Sequence, residues 1–168
     1  MARRKVLRSI PVPFVAILVL CLNAAPPYDG PRPPAKDVPY LKEATKLVAT
    51  EVQQAAEAKS KSGTAYTVPG ATSTARTPIP EPIFLFASSR IDPATLELAH
   101  FTVKDGKREL VLGGKKSSDD GDDQPVLHLT LRKLDSGLFE IEAAEMLEPG
   151  EYALSPQGSN TAFCFTVY

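Results

Sequence analysis

The sequence predicts a mainly β protein, an antiparallel β-sandwich with a short N-terminal helical segment. About seven short runs between Ile83 and Tyr168 carry apolar residues at alternate positions and are separated by turn-forming residues, as is typical of a sandwich. The chain has 168 residues, of which 43% are hydrophobic, so it can form one domain with a modest core. Ten of its sixteen prolines lie between Pro26 and Pro82, where they favour extended, irregular chain. The regular strands are therefore expected in the C-terminal half.

The first 25 residues have the layout of a secretory signal peptide. Basic residues come first, and a run of nine apolar residues follows from Phe14 to Leu22. A helix of that length measures about 13 Å, much less than the ~30 Å apolar core of a bilayer. Residues 1–25 are therefore predicted to be an export signal, and the protein is predicted to be periplasmic or secreted, meeting a membrane only through this segment if it stays uncleaved. Acylation at Cys21 and export by a twin-arginine route are the alternatives.

Removal of the signal peptide would leave an acidic chain. Four basic residues lie in the signal, so fifteen remain against twenty acidic residues, and the net charge becomes about −5. A chain of this charge with no tryptophan and no basic stripe is not expected to bind nucleic acid. Cys164 is then the one remaining thiol, so no intramolecular disulfide is predicted, and this residue is expected to be buried as a small apolar side chain.

Three segments follow the signal peptide. Residues 26–38 form a proline-rich lead-in that cannot hold a helix or a central strand. Residues 39–82 are predicted to be a helical or extended appendage, which includes a short strand through TAYTVPG. Residues 83–168 are predicted to form the β-sandwich domain.

Within the appendage, the pattern from Leu41 to Ala56 predicts a helix. Apolar residues recur there at a spacing near 3.6, and Asp37 stands where an N-cap would be. The alternative is a strand through KLVATEV, because Val48 and Val52 alternate with polar neighbours and β-branched residues favour strands.

The clearest unit of the sandwich domain is the hairpin LELAHFTVKDGKRELVLGG. Asp105 and Gly106 suit a two-residue turn in which both central positions have positive φ. With that turn, three pairs are expected to face each other across the strands: Val103 with Arg108, Phe101 with Leu110, and Ala99 with Leu112.

Four more runs after the hairpin are predicted to be strands: VLHLTLRKL, LFEIEAAEML, EYALS and TAFCFTVY. Each carries apolar residues at alternate positions, and the breaks between them hold turn residues. In the last run Phe163, Phe165 and Val167 share one face.

The stretch LEPGEY, from Leu147 to Tyr152, resembles the tyrosine corner of immunoglobulin-like and fibronectin type III domains. In those domains the tyrosine hydroxyl binds the backbone a few residues upstream and fixes the crossover between the sheets. The resemblance implies an immunoglobulin-like sandwich.

The run LEPGEYALSPQGSNTAFCFTV also resembles the C-terminal part of a group of exported bacterial proteins of unknown function. The resemblance covers about Pro39 to Tyr168 and is strongest from Leu147 onward. It implies an exported, β-rich domain and supplies no catalytic residue.

A search for catalytic patterns finds none of the usual ones. The sequence lacks zinc-ligand spacings, a nucleophile elbow, a phosphate-binding loop and a dinucleotide fingerprint. His100 and His128 are predicted to be surface residues. Glu140 and Glu142 share one face of a strand and could form the carboxylate pair of a hydrolase, but a solvated face is the expected interpretation. We therefore expect no enzyme activity and no cofactor.

The acidic stretch KKSSDDGDDQ is the remaining candidate for chemistry. Asp119, Asp120, Asp122 and Asp123 are weak candidates for a calcium site. The twelfth position of a calcium loop counted from Asp119 is Thr130 rather than a bidentate glutamate, so the pattern fails. A charged loop between two strands is the prediction.

These features together predict an exported, non-catalytic β-sandwich protein with a binding or structural role at the cell envelope. Its partner would be a protein or a cell-surface polymer. The alternatives are a small hydrolase of an envelope polymer that uses the carboxylate pair, and a calcium-dependent adhesion module that uses the acidic stretch.

Overall fold

The computed structural model describes residues 27–60, 63–112 and 126–168. These residues form fourteen β-strands and one short 3-10 helix, and none of them lies in an α-helix. The strands pack as two sheets, so the prediction of a mainly β, antiparallel sandwich is confirmed. The elements are β1 Pro39–Glu43, β2 Lys46–Ala49, β3 Glu51–Gln54, β4 Ala56–Ser60, β5 Gly63–Pro69, β6 Arg76–Thr77, β7 Ile83–Ala87, the 3-10 helix Pro93–Thr95, β8 Leu96–Lys104, β9 Lys107–Leu112, β10 Val126–Leu127, β11 Leu129–Asp135, β12 Leu138–Ala143, β13 Gly150–Pro156 and β14 Thr161–Val167.

The smaller sheet has five antiparallel strands in the order β11-β12-β7-β1-β2. Its central strand β7 has three consecutive residues with no exposed surface, Phe84, Leu85 and Phe86. Adjacent apolar residues of this kind occur where both faces of a strand are covered. The edges of this sheet are β2 and β11.

The larger sheet has the order β3-β14-β13-β8-β9-β5-β4, with β10 beside β8 and β6 beside β14. Strands β3 and β4 are separated by a single residue, Ala55, whose N–H donates to the carbonyl of Asn160 at 2.8 Å. Because β3 pairs with β14 and β4 pairs with β5, one extended stretch of chain occupies both ends of the strand order. The larger sheet therefore closes on itself, and we call it the closed sheet.

Two apolar clusters form the interior. The first lies between the two sheets, where the rings of Phe84 and Phe165 meet edge to face with centroids 4.9 Å apart. The second lies inside the closed sheet and includes Cys164. Strand β14 serves both clusters, since Phe163, Phe165 and Val167 belong to the first while Ala162 and Cys164 belong to the second.

The predicted helix from Leu41 to Ala56 is wrong, because this stretch forms β1 to β4. Leu41 and Val48 lie opposite each other across the β1–β2 hairpin and pack against the sandwich core, whereas Val52 is exposed on β3. The apolar residues that would share one helix face are therefore divided between two sheets. The chain passes from one sheet to the other at Thr50, so the alternative strand interpretation of KLVATEV is the nearer one.

The segment 39–82, predicted as an appendage, is instead part of the sandwich, since it supplies strands to both sheets. Asp37 is not an N-cap. Its carboxylate accepts hydrogen bonds from the Ser88 hydroxyl at 2.7 Å and from Arg90 Nε at 2.8 Å, and its N–H donates to the carbonyl of Ala87. The lead-in is thereby joined to the end of β7.

The hairpin between β8 and β9 has the predicted turn. Asp105 and Gly106 have φ values of 50° and 71°, and Val103 lies opposite Arg108. These values place both central residues in the left-handed region that a two-residue hairpin turn requires.

The ladder between β8 and β9 ends at Thr102 and Glu109, one position before the predicted pair of Phe101 and Leu110, and the hairpin strands then separate. Ala99 lies opposite Val126 of β10, so its predicted pairing with Leu112 is wrong. Strand β9 instead continues beside β5, where Leu110 pairs with Tyr66. This separation allows β9 to continue around the closed sheet.

The run VLHLTLRKL, predicted as one strand, is broken at His128. Strand β10 precedes the break and belongs to the closed sheet, and β11 follows it and belongs to the smaller sheet. Leu127 and Leu129, on either side of the break, both pack against the sandwich core.

The LEPGEY stretch forms the predicted contact. The hydroxyl of Tyr152 donates to the carbonyl of Glu148 at 2.7 Å. The tyrosine ring is buried and stacks on Phe165, so the residue ties the loop before β13 to the sandwich core.

Candidate binding cavity

The interior of the closed sheet is lined by alternate residues of its strands, because successive side chains of a strand point to opposite faces. In β13 the inward residues are Glu151, Ala153 and Ser155, and each lies opposite a residue of β8. Along this one strand the lining changes from charged to apolar to polar. The interior is organised in the same three layers.

Arg108 closes the charged end of the interior and is fully buried. Its Nη2 donates to Glu51 Oε1 at 2.9 Å and to the Pro69 carbonyl at 2.8 Å, and its Nε donates to the Gly70 carbonyl at 3.1 Å. Its Nη1 lies 3.8 Å from Glu151 Oε2 and has no hydrogen-bond partner among the described residues. The guanidinium therefore links β9, β3 and the loop after β5.

The Glu51 carboxylate is the main ionic partner of Arg108. Burial raises the pKa of this carboxyl group. Hydrogen bonds from Arg108 and from the Thr74 backbone N–H outweigh that effect, with a smaller one from Gln53, and they lower the pKa from 4.5 to about 2. Glu51 is therefore ionised at neutral pH and forms an ion pair with the buried Arg108.

The middle of the interior is an apolar layer around Cys164. Val68, Phe101 and Leu110 belong to the same cluster. Burial raises the pKa of the Cys164 thiol to about 12, so the thiol stays protonated at neutral pH. The prediction that Cys164 is a buried apolar residue is confirmed.

A cavity of about 200 Å³ occupies the end of the interior opposite Arg108. Four alanines on its walls leave the space, because larger side chains at these inward positions would fill it. They are Ala55, Ala99, Ala153 and Ala162. The larger apolar residues in contact with the cavity are Phe101, Leu110, Leu112 and Val126.

The mouth of the cavity is acidic. Glu57 lies opposite Tyr66 across β4 and β5, and Glu97 lies opposite Ser155 across β8 and β13. Glu57 is exposed, whereas Tyr66 and Glu97 are half-buried. Neither carboxylate forms an ion pair or a hydrogen bond within the described part of the chain, and none of the residues lining the cavity is basic.

The two histidines do not line this cavity. His100 is exposed, as predicted, and its ring stacks on Tyr152 at a centroid distance of 4.7 Å. His128 is also exposed, as predicted, at the break between β10 and β11, and its carbonyl accepts a hydrogen bond from the N–H of Ala144.

The carboxylates Glu140 and Glu142 lie on β12, away from the cavity. Glu140 is only 8% exposed, so the prediction of a solvated face is wrong at this position. Its carboxylate accepts a hydrogen bond from Arg132 Nε at 3.0 Å and lies 3.6 Å from Lys42 Nζ. Glu140 is thus held in an ion-pair network across the strands of the smaller sheet.

The four aspartates of the acidic stretch, Asp119, Asp120, Asp122 and Asp123, lie outside the described residues. Within the described ranges, no three histidine, cysteine, aspartate or glutamate side chains are grouped so that they could hold a metal ion. The two described residues that flank the stretch, Leu112 and Val126, both contact the cavity.

One feature of the sequence does indicate this cavity, although it is distinct from the alternation of apolar residues. Strands β13 and β14 contain consecutive apolar residues, Tyr152 to Leu154 and Ala162 to Phe165. Such runs indicate strands that are covered on both faces. The second covered face is the one that lines the closed sheet.

Comparisons with protein-family models, with curated proteins and with solved structures give no match to this chain. Among the residues that the structure describes, no helix is long and apolar enough to cross a membrane.

Proposed function

We propose that this protein is an exported, non-catalytic β-sandwich protein that acts by binding at the cell envelope, with the cavity of the closed sheet as its ligand site. The cavity is the observation that carries the proposal. It has apolar walls and a polar mouth, which is the usual arrangement of a small-molecule site. A ligand there could be free or the terminal group of a protein or cell-surface polymer.

The ion pairs of the structure support a binding role over hydrolysis. A carboxylate pair that cleaves a glycosidic bond needs one protonated and one free carboxyl group facing the substrate. Glu140 instead forms ion pairs with Arg132 and Lys42, so its carboxylate oxygens are held by neighbouring side chains of its own sheet and do not face a substrate cleft. The half-buried Glu51 and the buried Glu151 both lie beside Arg108, at the end of the interior opposite the cavity.

The export signal over residues 1–25 and an immunoglobulin-like ancestry are also part of this proposal. The tyrosine corner at Tyr152 supports the second, since its hydroxyl makes the contact found in such domains. The closure of the larger sheet is the feature in which this sandwich would differ from them. Cell fractionation of a bacterium that expresses the full chain tests the export. A protein that stays in the cytoplasm at full length would contradict it.

The binding proposal is tested by titrating the protein with benzyl alcohol, a neutral probe of suitable size, and recording amide NMR spectra. We expect saturable shifts at Ala99, Ala153 and Ala162. The variant Ala153→Leu fills the cavity and should abolish the shifts, whereas Ala58→Leu, at an exposed position of β4, should preserve them. Absence of shifts at the cavity residues in the unmodified protein would refute the cavity as a ligand site.

A further inference from the structure

We propose that the cavity selects a small organic cation, an ammonium group carried on an apolar body about the size of a benzene ring. This inference rests on the proposed function and specifies its ligand. Three observations carry it: the size of the cavity, the unpaired carboxylates at its mouth, and the ring of Tyr66, which lines the cavity opposite Glu57.

The size limits the ligand to one small apolar group. Drug-sized molecules occupy sites of roughly 300–1,000 Å³, and a dry cavity of about 150 Å³ is large enough for benzene. The cavity here measures about 200 Å³. Its walls of alanine, leucine and phenylalanine offer no polar partner at depth, so the buried end of the ligand must be apolar.

The charge at the mouth selects the polar end of the ligand. Glu57 and Glu97 contact the cavity, and neither has an ionic partner among the described residues. The described lining contains no lysine, arginine or histidine that could attract an anion. An ammonium group at the mouth would gain attraction from both carboxylates while it remains in contact with water, so it would pay little desolvation cost.

Tyr66 adds a second element of cation recognition. It lies directly opposite Glu57 on β5 and contacts the cavity. An aromatic face close to a carboxylate is a common arrangement for binding ammonium groups, because the ring and the acid attract the same charge. Leu110 follows Tyr66 across the next pair of strands and continues the apolar wall inward.

The test compares three probes that share one ring and differ in charge: benzylammonium, benzyl alcohol and benzoate, each titrated at pH 7 and followed by amide NMR. We expect the cation to bind about tenfold more tightly than the alcohol, and the anion to bind most weakly. Added salt should lower the affinity for benzylammonium and leave the affinity for benzyl alcohol unchanged, because only the interaction between charges is screened.

Two variants identify the carboxylates responsible. The double variant Glu57→Gln, Glu97→Gln should lower the affinity for benzylammonium about tenfold and preserve the affinity for benzyl alcohol. Glu81→Gln removes the same charge from an exposed site away from the cavity and should change neither. Thermal melting checks that each variant is folded. If the double variant does not fold, the two single variants, Glu57→Gln and Glu97→Gln, are titrated in its place.

The outcomes separate this inference from the function on which it rests. If all three probes bind equally and the glutamine variants change nothing, the cation preference is overturned and the cavity remains a ligand site. If none of the probes shifts the cavity residues, the proposed function is overturned as well.

Discussion

At the level of single residues, the charged end of the interior, opposite the cavity, depends on one cation and two acids. Arg108 is buried between Glu51 and Glu151, and its guanidinium also binds two backbone carbonyl groups. An ion pair in such a place adds little net stability over an apolar substitute, but removal of one partner leaves the other charged and buried. These residues therefore act together, and loss of any one of them is expected to be costly.

The Glu51→Gln variant tests this network through its pH dependence. The pKa of Glu51 is about 2, below its ordinary value of 4.5, so the stability it contributes is present above pH 4.5 and is lost as the pH falls towards 2. At pH 7 the variant should lose roughly 3 kcal/mol of unfolding free energy, because Arg108 is left without its main partner.

Urea unfolding at several pH values measures both effects. Between pH 4.5 and 2 the stability of the wild type should fall more steeply than that of Glu51→Gln. Glu81→Gln is the control, and we expect it to match the wild type within about 0.5 kcal/mol. Parallel pH profiles for wild type and Glu51→Gln would show that the pKa of Glu51 is not lowered by folding.

Gly137 is a second residue with a specific requirement. It has a φ of 66°, and a Cβ atom added there would lie 3.0 Å from the carbonyl oxygen of Ser88. Gly137→Ala should therefore cost about 2 to 3 kcal/mol in unfolding free energy, from backbone strain and from this close approach. Gly106→Ala is the matched control: its φ is 71°, but no atom lies within 4 Å of the added Cβ.

The control should lose only about 1 to 2 kcal/mol, the cost of the left-handed backbone alone. Urea denaturation of both variants gives the difference. Equal losses would mean that the loop around Ser88 moves freely enough to accept a methyl group.

At the scale of elements, the stretch from β3 to β4 decides the architecture. Its residues Glu51–Gln54 extend the sheet beside β14, and Ala56–Ser60 extend it beside β5. Ala55 lies between them and keeps its backbone bond to Asn160. One strand with two different partners, one on each edge, is what converts an open sheet into a closed one.

An Ala55→Pro substitution tests this role because proline has no N–H to donate to Asn160. We expect a loss of about 2 kcal/mol in unfolding free energy. The closed sheet should also open more often, and labelling of Cys164 by a thiol reagent should become about tenfold faster.

The labelling is measured in a Cys21→Ser background, so that Cys164 is the one thiol present. Ala55→Ser keeps the N–H and serves as the control, with the labelling rate of the parent. If Cys164 is labelled no faster in Ala55→Pro than in this control, the junction between β3 and β4 does not control access to the interior.

At the scale of the whole molecule, the strands that could be predicted are those whose partners lie nearby in the chain. The Asp105–Gly106 hairpin and the face shared by Phe163, Phe165 and Val167 follow from local turn chemistry and alternation. The helix prediction failed because the spacing of apolar residues says nothing about which sheet each one joins.

The cavity could not be predicted for a related reason. It depends on pairing between residues more than a hundred positions apart, such as Val52 with Phe163, and on alanines brought together from three strands and from the junction between β3 and β4. The presence of an alanine in a strand does not indicate whether the space next to its side chain is filled by other residues. Alternation locates the inward face, and tertiary pairing alone decides how wide the interior is.

The acidic stretch gives the prediction that concerns the molecule as a whole. We expect the melting temperature of the full chain to shift by less than about 1 °C in millimolar calcium, because the aspartates lack the spacing of a calcium loop. Magnesium at the same concentration controls for ionic strength. A shift of several degrees specific to calcium, and lost in Asp119→Asn with Asp120→Asn, would establish the adhesion alternative.

The pairing of β3 with β14 also limits the order in which the chain can fold. Glu51–Gln54 are synthesised more than a hundred residues before their partners Thr161–Cys164. Strand β3 must therefore remain unpaired along one edge until β14 has been synthesised. We expect folding to be slow and all-or-none, governed by this single long-range closure, with the interior exposed to water until the final strand arrives.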